Sequence, residues 1–435
     1  MVEVKKEEKE KHVYNLEITV EEERVREALK EVYRDFAHRV NIPGFRKGKA
    51  PRGILQAYVG KGAILEALAR VLVPQVTEEV LGKENIEVIG EPDIEVVQID
   101  EEKPLIFRLQ VMESPVVALP NPEELEVRKY RLEVRESDVE RELERLRTSR
   151  GTWEDKKPES EAVVGDLVKF TVESRDYTVL AHDTEDGDTI GREVLGMKVG
   201  EKKKVSLTDS EGRNVEVELQ VTGLMEKKIP EIGTEFLQSL GEEFDSVETL
   251  KGKIRESLER VALDLAEERF EQEALVALCK NSELHIPEPL IDIETRHRID
   301  AFKEQLEKDG LTLEKYLELT GNDFATVEKE LRKLAHWNLK KFFVLKEYAR
   351  KYAIEITEED LVEELERLAR VSGKTGEAVR EILERNDKIE EVKERLKTQK
   401  LLKDLVARVK VKELSEAVNF DQWKALENPE EEMIA

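Results

Sequence analysis

The sequence predicts a multidomain α+β protein, and three observations carry that prediction. Residues 1–112 mix strand-like and helix-like patterns, residues 151–225 contain three strand-like segments, and residues 226–435 are almost wholly helical in pattern. A chain of 435 residues is long enough for two to four domains. We therefore divide the chain into residues 1–112, a linker at 113–150, and domains at 151–225 and 226–435.

The first domain is predicted to be one α+β unit. Residues 13–20 (VYNLEITV) alternate like a strand, and apolar residues recur at helical spacing from Val25 to Phe36. A second helical run covers Gly53–Val80, and Pro74 inside it should kink or end the helix. The segments IEVIGEPDIEVVQI and PLIFRLQVME predict two further strands.

The linker and the third region have clear local signals. Residues 114–124 contain three prolines, which is typical of an extended segment. The sequence SDVE at Ser137–Glu140 fits a capping box that opens a helix ending near Ser149. The segments GDLVKFTVE, EKKKVSL and NVEVELQVTGL predict three strands of a small β domain.

Long amphipathic helices are predicted for residues 226–435. One apolar stripe extends from Val247 to Leu265, and another follows a predicted cap at Thr357–Asp360 and ends at Val371. Cys279 is expected to be a small core residue. The last fifteen or so residues are predicted to form a loose tail.

Composition excludes several classes of function. The net charge of −27 and the aromatic content of 5% argue against a general nucleic-acid binder, so any such contact needs a local basic patch. With one cysteine and no two histidines at helical spacing, we expect no disulfide, no metal site and no cofactor. Without an apolar leader or a long apolar run, we expect a cytoplasmic protein with no membrane contact.

One short stretch, NIPGFRKGKAP at Asn41–Pro51, stands out against this acidic background. It is not a phosphate-binding loop, because only three residues separate Gly44 from Gly48, where that motif needs four, and Lys49 is followed by Ala50. Seven cations lie between Arg34 and Lys61 against Asp35 alone. Phe45 is expected at the tip of a turn, where it either docks on a partner or folds inward in an ordinary basic loop.

The segment GFRKGKAP closely resembles the ribosome-docking signature of the trigger factor family, GFRxGxxP. Five residues match the signature: Gly44, Phe45, Arg46, Gly48 and Pro51. The segments IEVIGEPDIEVV and LERLRTSRGTWED and the order of the C-terminal helices are also similar to that family, so the resemblance covers the whole chain.

The resemblance implies a function and a set of partners. A ribosome-docking domain would bind beside the exit tunnel of the large ribosomal subunit, with Phe45, Arg46 and Lys47 on a ribosomal protein and adjacent rRNA. A small domain of the FK506-binding fold would follow, and a helical body with two arms, packed on the linker, would hold nascent or unfolded polypeptides without ATP. The family also implies a possible homodimer off the ribosome.

The middle domain departs from the family pattern. The region that should supply part of a proline-binding pocket is DTIGREVLGMKVGE, which has neither proline nor an aromatic residue, and the flap before the last strand is shortened to TDSEGR. Phe170 and Tyr177 are the aromatic residues nearest to that region, along with Trp153 at the start of the domain. We therefore expect a retained fold with a degraded pocket, and prolyl isomerisation of folding proteins is the alternative function.

Residues that contact client polypeptides are harder to predict. Four apolar residues lie where the tip of one arm is expected, and they form either a client surface or the core of the arm: Leu311, Leu313, Tyr316 and Leu317. A third possibility for the whole chain is a helical scaffold whose basic loop binds something other than ribosomes.

Overall fold

The computed structural model describes residues 2–172, 175–184, 189–208, 214–241, 244–414 and 417–434. Contacts divide the chain into two compact units. The first unit contains Met1–Lys129, Arg269–Glu413 and Glu427–Ala435, and the second contains Tyr130–Glu268 and Leu414–Leu426. The predicted multidomain α+β class is confirmed, whereas the four-part division at 112, 150 and 225 stays a prediction.

A four-stranded antiparallel sheet opens the first unit, with the strand order β1-β2-β4-β3. Its strands are β1 (Val2–Glu10), β2 (Val13–Val20), β3 (Val88–Gln98) and β4 (Leu105–Glu113). Alternate residues of β2 and β4, among them Ile18 and its partner Phe107, are fully buried on one face. This face packs on helices and forms the core of the predicted α+β unit.

Three helices cover the buried face of this sheet: α1 (Glu22–Arg39), α2 (Arg52–Val59) and α3 (Lys61–Glu84). The second helical run was predicted to end or kink at Pro74, but the structure divides it elsewhere. The break falls at Gly60, whose φ of +92° favours glycine, and α3 continues through Pro74. Pro74 lies on the exposed side, where water can solvate the carbonyl that loses its helical partner.

Strand β1 was not predicted, because its sequence VEVKKEEKE has almost no apolar alternation. Only Val2 and Val4 pack against the core, and the residues from Lys5 to Glu10 are exposed. The strand forms because its backbone pairs with β2, from Val2 opposite Val20 onwards. Its charged side chains protect an otherwise open sheet edge from pairing with other chains.

The helical part of the first unit forms a body and two helical arms. The first arm comprises α8 (Glu288–Lys308), α9 (Leu313–Thr320) and α10 (Phe324–Lys351). The second arm comprises α11 (Glu358–Ser372), α12 (Gly376–Arg385) and α13 (Ile389–Arg408). The predicted cap at Thr357 is confirmed, since its hydroxyl accepts from the Asp360 backbone N–H and the Asp360 carboxylate accepts from the Thr357 N–H.

The body core joins the C-terminal end of α7 (Val247–Lys280) to α10 and α13. Cys279 is fully buried there, as predicted, and burial raises the pKa of its thiol to about 12. The Tyr348 hydroxyl donates to Asp404 (2.8 Å), which also accepts two hydrogen bonds from Arg408. These contacts fasten α10 to α13.

The predicted loose tail is wrong. Residues after 417 form a short helix, α14 (Phe420–Lys424), and a last turn, α15 (Glu431–Ile434). The indole Nε1–H of the buried Trp337 donates to the Glu430 carboxylate (2.9 Å), and Lys341 contacts the same carboxylate at 3.0 Å. A buried indole N–H needs an acceptor, and the tail supplies it.

Strand β5 (Glu126–Lys129) pairs in parallel with β11 (Lys410–Glu413) in the first unit. The linker stretch before it contributes to the same body core through Val117 and Leu119. The structure also places a short 3₁₀ turn at Pro122–Glu124 within the proline-rich stretch.

The second unit contains a five-stranded antiparallel sheet, two more strands than predicted. The path β6-β10-β7-β8 is joined by β9, which pairs with β10. The strands are β6 (Thr152–Asp155), β7 (Leu167–Val172), β8 (Arg175–Leu180), β9 (Lys202–Thr208) and β10 (Asn214–Lys228), with the short helix α5 (Thr189–Glu193) before β9. Most of the predicted flap, residues 209–213, lies outside the described residues.

Helices α4 (Glu136–Ser149) and α6 (Thr234–Leu240) pack with the first half of α7 in the second unit. The prediction that Ser137 caps α4 is wrong by two residues. The Asp138 carboxylate instead accepts from the Arg135 backbone N–H at 3.0 Å, so α4 begins at Glu136.

Two residues of the predicted apolar stripes lie on the surface. Val261 is 45% exposed and Val371 is 82% exposed, although helical spacing places both on apolar faces. Periodicity predicts which residues share a face, but the tertiary partner decides how far the buried face extends. In the part of the chain that the structure describes, no helix is both long and apolar enough to cross a bilayer.

We expect Glu430→Ala to lower the free energy of unfolding by about 1.5–3 kcal/mol, because it leaves the buried Trp337 N–H without its charged acceptor. Urea unfolding followed by tryptophan fluorescence measures the change. Glu431→Ala is the matched control, since that side chain is exposed. Equal stabilities of the two variants would contradict the packed position of the tail.

Candidate docking site

Residues 41–51, which we call the docking tip, connect α1 to α2 through two tight turns. The Phe45 backbone N–H donates to the Ile42 carbonyl (3.2 Å), and the Lys49 N–H donates to the Arg46 carbonyl (3.0 Å). A third bond, from the Gly48 N–H to the Ala37 carbonyl (2.8 Å), ties the far side of the tip to the last turns of α1. The tip is therefore held at its base by backbone hydrogen bonds.

Both glycines of the signature adopt backbone angles that favour glycine. The φ angles are +88° at Gly44 and +80° at Gly48. A Cβ at Gly48 would also lie 2.7 Å from the His38 ring, whereas a Cβ at Gly44 would meet nothing within 4 Å. The two turns thus need glycine for conformation, and the second also needs it for space.

Phe45 lies on the surface of the tip. Its side chain is 40% exposed, while the neighbouring Ile42 is 6% exposed and anchors the tip in the core. The alternative in which Phe45 folds inward is wrong for this structure. An exposed aromatic ring at a turn is available to a partner.

Three cations at the tip lack the partners that neighbouring cations have. Arg39 pairs with Asp35 (2.9 Å) and Lys61 pairs with Asp100 (3.0 Å). Within the described residues, no carboxylate lies within salt-bridge distance of the exposed side chains of the tip: Arg46, Lys47 and Lys49. No Asp or Glu occurs in the sequence between Asp35 and Glu66 either, and the tip therefore presents uncompensated positive charge among the described residues.

A small polar network holds the helices on either side of the tip. The Tyr33 hydroxyl of α1 and the Gln56 side chain of α2 both donate to Glu101, at 3.0 and 3.1 Å. The guanidinium of Arg52 lies 5.3 Å from the centre of the Tyr33 ring. Burial, followed by the hydrogen bond to Glu101, raises the pKa of Tyr33 to about 12, so its hydroxyl remains a donor at neutral pH.

Helix α2 carries two exposed apolar residues that were not predicted as site residues from the sequence. Ile54 is 42% exposed and Tyr58 is 57% exposed. The only signal in the sequence is that α2, RGILQAYV, contains a single charged residue in a chain that is 39% charged.

Two of the three aromatic residues of the middle domain, Phe170 and Tyr177, do not form an open aromatic pocket. Phe170 is 3% exposed and belongs to the core of the sheet, and Tyr177 stacks on it with ring centres 5.7 Å apart. From DTIGREVLGMKVGE, Val194 and Met197 are also buried in that core. These positions support the expectation of a degraded proline pocket.

The predicted client residues are half-buried in the first arm: Leu311, Leu313, Tyr316 and Leu317. The Tyr316 ring packs edge-on against Phe302, with centres 5.2 Å apart. This packing fits the arm-core alternative, and the client role of the four residues stays a prediction. Leu319 and Phe324 at the same end of the arm are more exposed, at 66% and 39%.

Among the residues that the structure describes, no group of three or more His, Cys, Asp or Glu side chains is arranged to hold a metal ion. The chemistry available at the docking tip is recognition through charge and one aromatic ring.

Two family models match the chain. "Bacterial trigger factor protein (TF)" matches residues 2–146, and "Bacterial trigger factor protein (TF) C-terminus" matches residues 246–407. The trigger factor of Pelotomaculum thermopropionicum is 30% identical over 424 residues, covering 93% of this chain and 96% of that protein. The trigger factor of Clostridium kluyveri is 31% identical over 390 residues, covering 85% and 90%.

A solved structure of the trigger factor chaperone, described for promiscuous substrate recognition in folding and assembly, has a similar fold. It aligns with a TM-score of 0.53 and 24% identity, covering 94% of this chain and all of that one. At this identity the likeness concerns the fold alone.

The chain combines a cationic tip with long helices that carry exposed apolar residues, an arrangement that suits a chaperone which docks on a partner. The chain belongs to the trigger factor family. It is a ribosome-associated molecular chaperone, and the comparisons do not favour the isomerase alternative.

We expect Gly48→Ala to destabilise the first unit more than Gly44→Ala. Both changes impose a left-handed conformation on an L-residue, which costs about 1–2 kcal/mol, but only the first meets the His38 ring. Chemical denaturation of the two variants measures the difference. Adding His38→Ala should recover only the steric part of the Gly48→Ala loss; equal costs at both glycines would contradict the close approach.

Proposed function

We propose that the docking tip binds the large ribosomal subunit beside the exit tunnel, in the cytoplasm, so that the helical arms receive emerging polypeptides. One observation carries this proposal: Phe45 is exposed beside three cations that have no carboxylate partner among the described residues. Elsewhere on this acidic chain, cations are commonly paired on the surface, as Arg39 is with Asp35.

The chemistry of the tip suits a composite surface of protein and rRNA. Arg46 can form two parallel hydrogen bonds with a carboxylate or a phosphate, and Lys47 acts as a compact charge. Phe45 supplies apolar area that water would otherwise contact. An interface of this small size with exposed charges should be transient and sensitive to salt.

Client polypeptides would contact exposed apolar side chains on the arms. At the end of the first arm these are Leu319 and Phe324, and on the second arm Val371 is the most exposed. Separate apolar side chains on charged helices favour weak binding of many sequences over tight binding of one.

The middle domain would act mainly as a structural or client-contacting module with weak isomerase activity. Prolyl isomerisation by this fold needs a dry apolar pocket, and Phe170, Val194 and Met197 are buried in the core of the sheet.

A homodimer off the ribosome would cover Phe45 when no ribosome does so.

We expect the triple substitution Phe45→Ala, Arg46→Ala and Lys47→Ala to abolish co-sedimentation with ribosomes near physiological salt. Each lost phosphate contact should also reduce the slope of log affinity against log salt by up to about 0.9. The matched control is Arg34→Ala with Arg39→Ala, which removes nearby cations that are paired with acids. Normal sedimentation of the folded triple variant would rule out the docking proposal.

We expect Leu319→Ser with Phe324→Ser to weaken suppression of aggregation of an unfolded model protein by about threefold or more, because both side chains offer exposed apolar area. Light scattering during refolding measures this. Val71→Ser, an exposed apolar residue on α3, is the control. If the control lowers activity as much as the double variant does, the arm tip has no special role.

A further inference from the structure

Helix α2 follows the docking tip directly, and contacts made by its inner face hold it against the core of the first unit. Leu55 is 2% exposed in the core, and Val59 packs against the same core. Gln56 donates to Glu101, and Arg52 lies against the Tyr33 ring. With these residues held, the opposite face of α2 has a defined orientation at the surface.

The outer face of α2 is apolar although it is exposed. Ile54 and Tyr58 are four residues apart and therefore lie on one side of the helix. Gly53 and Ala57 beside them are exposed and small, so they do not cover the side chains of Ile54 and Tyr58. At the average charge content of 39%, eight residues would include about three charged ones, and α2 has only Arg52.

This face is continuous with the docking tip. Pro51 ends the tip and is also the N-cap residue of α2, and the Ile54 backbone N–H donates to the Pro51 carbonyl (3.1 Å). The stretch without acidic residues extends past α2 to Glu66. The surface therefore has a cationic part and an apolar part. Glu101, the acid that contacts α2 through Gln56, is partly buried and is also bound by Tyr33, so the exposed surface remains favourable to an anionic assembly.

We propose that Ile54 and Tyr58 form the apolar half of the docking interface, and that this half contacts an apolar patch on a ribosomal protein. This inference rests on the proposed function of the tip. Isoleucine offers nothing to a phosphate or to a paired base, whereas apolar side chains and tyrosine are typical of the buried centre of protein–protein interfaces. The tip cations Arg46, Lys47 and Lys49 then contact rRNA phosphates.

The apolar half and the cationic half of the interface should contribute differently to the salt dependence of ribosome affinity. A titration at several salt concentrations therefore distinguishes their contributions. The full chain carrying Ile54→Ala with Tyr58→Ala is titrated with purified large ribosomal subunits at several KCl concentrations. We expect the affinity to fall about tenfold or more at every concentration, as for hot-spot residues, with an unchanged slope against log salt. The matched control is Val71→Ala with Val97→Thr, which changes two exposed apolar residues on α3 and β3 and should leave affinity within about twofold.

Three results would overturn the inference. Affinity within about twofold of the unsubstituted chain would show that the face is not in the interface. A cross-link to rRNA, and none to a ribosomal protein, from a photoreactive amino acid at position 58 would place the ring on rRNA. Weaker self-association with unchanged ribosome affinity would assign the face to a homodimer of this chain.

The triple variant of the tip distinguishes failure of this inference from failure of the proposed function. If that variant still binds ribosomes, docking through the tip is itself wrong. If it loses binding while the α2 variant keeps it, only the role of α2 fails. Should the double variant fold poorly, Tyr58→Gln alone is expected to weaken binding, whereas Tyr58→Phe, which keeps the ring, is expected to bind normally.

Discussion

The proposed docking of this protein depends on a stretch without acidic side chains, which lies between Asp35 and Glu66. The chain has a net charge of −27, and its helices carry dense pairs of Glu with Lys or Arg. In that background a cation remains available to a partner only where no carboxylate can reach it. Among the described residues, the docking tip meets this condition at Arg46, Lys47 and Lys49, so these cations remain available to an anionic assembly.

Positive charge alone would not give a defined docking geometry, and the fold supplies the rest. The Gly48 N–H is bound to the end of α1, Ile42 is buried, and Tyr33 and Gln56 meet at Glu101. These contacts hold both helices that flank the tip, so the backbone of the tip loses little additional freedom on binding. Leu319, Phe324 and Val371, three exposed apolar residues of the arms, lie on three different helices, which suits contacts with polypeptides of varied sequence.

Local signals in the sequence predicted local structure well. Strand β2, helix α1 and the cap at Thr357 depend on spacing and capping residues, and all three were predicted. Strand β1 and the packed tail depend on distant partners, namely β2 and Trp337, so no local pattern could indicate them. At the site, the motif predicted the tip, but the exposure of Ile54 and Tyr58 follows from which face of α2 packs, and helical spacing cannot decide that.

Site-specific cross-linking from the docking tip is the most direct test of whether this tip binds the large ribosomal subunit. A photoreactive amino acid replaces Phe45 in the full chain, and the chain is irradiated with purified ribosomes. If the tip docks as proposed, position 45 cross-links to a protein of the large subunit beside the exit tunnel, less so at high salt, and no cross-link forms when the same group replaces the exposed Val97 on β3. Equal cross-linking from both positions, or none from position 45, would contradict the proposed docking.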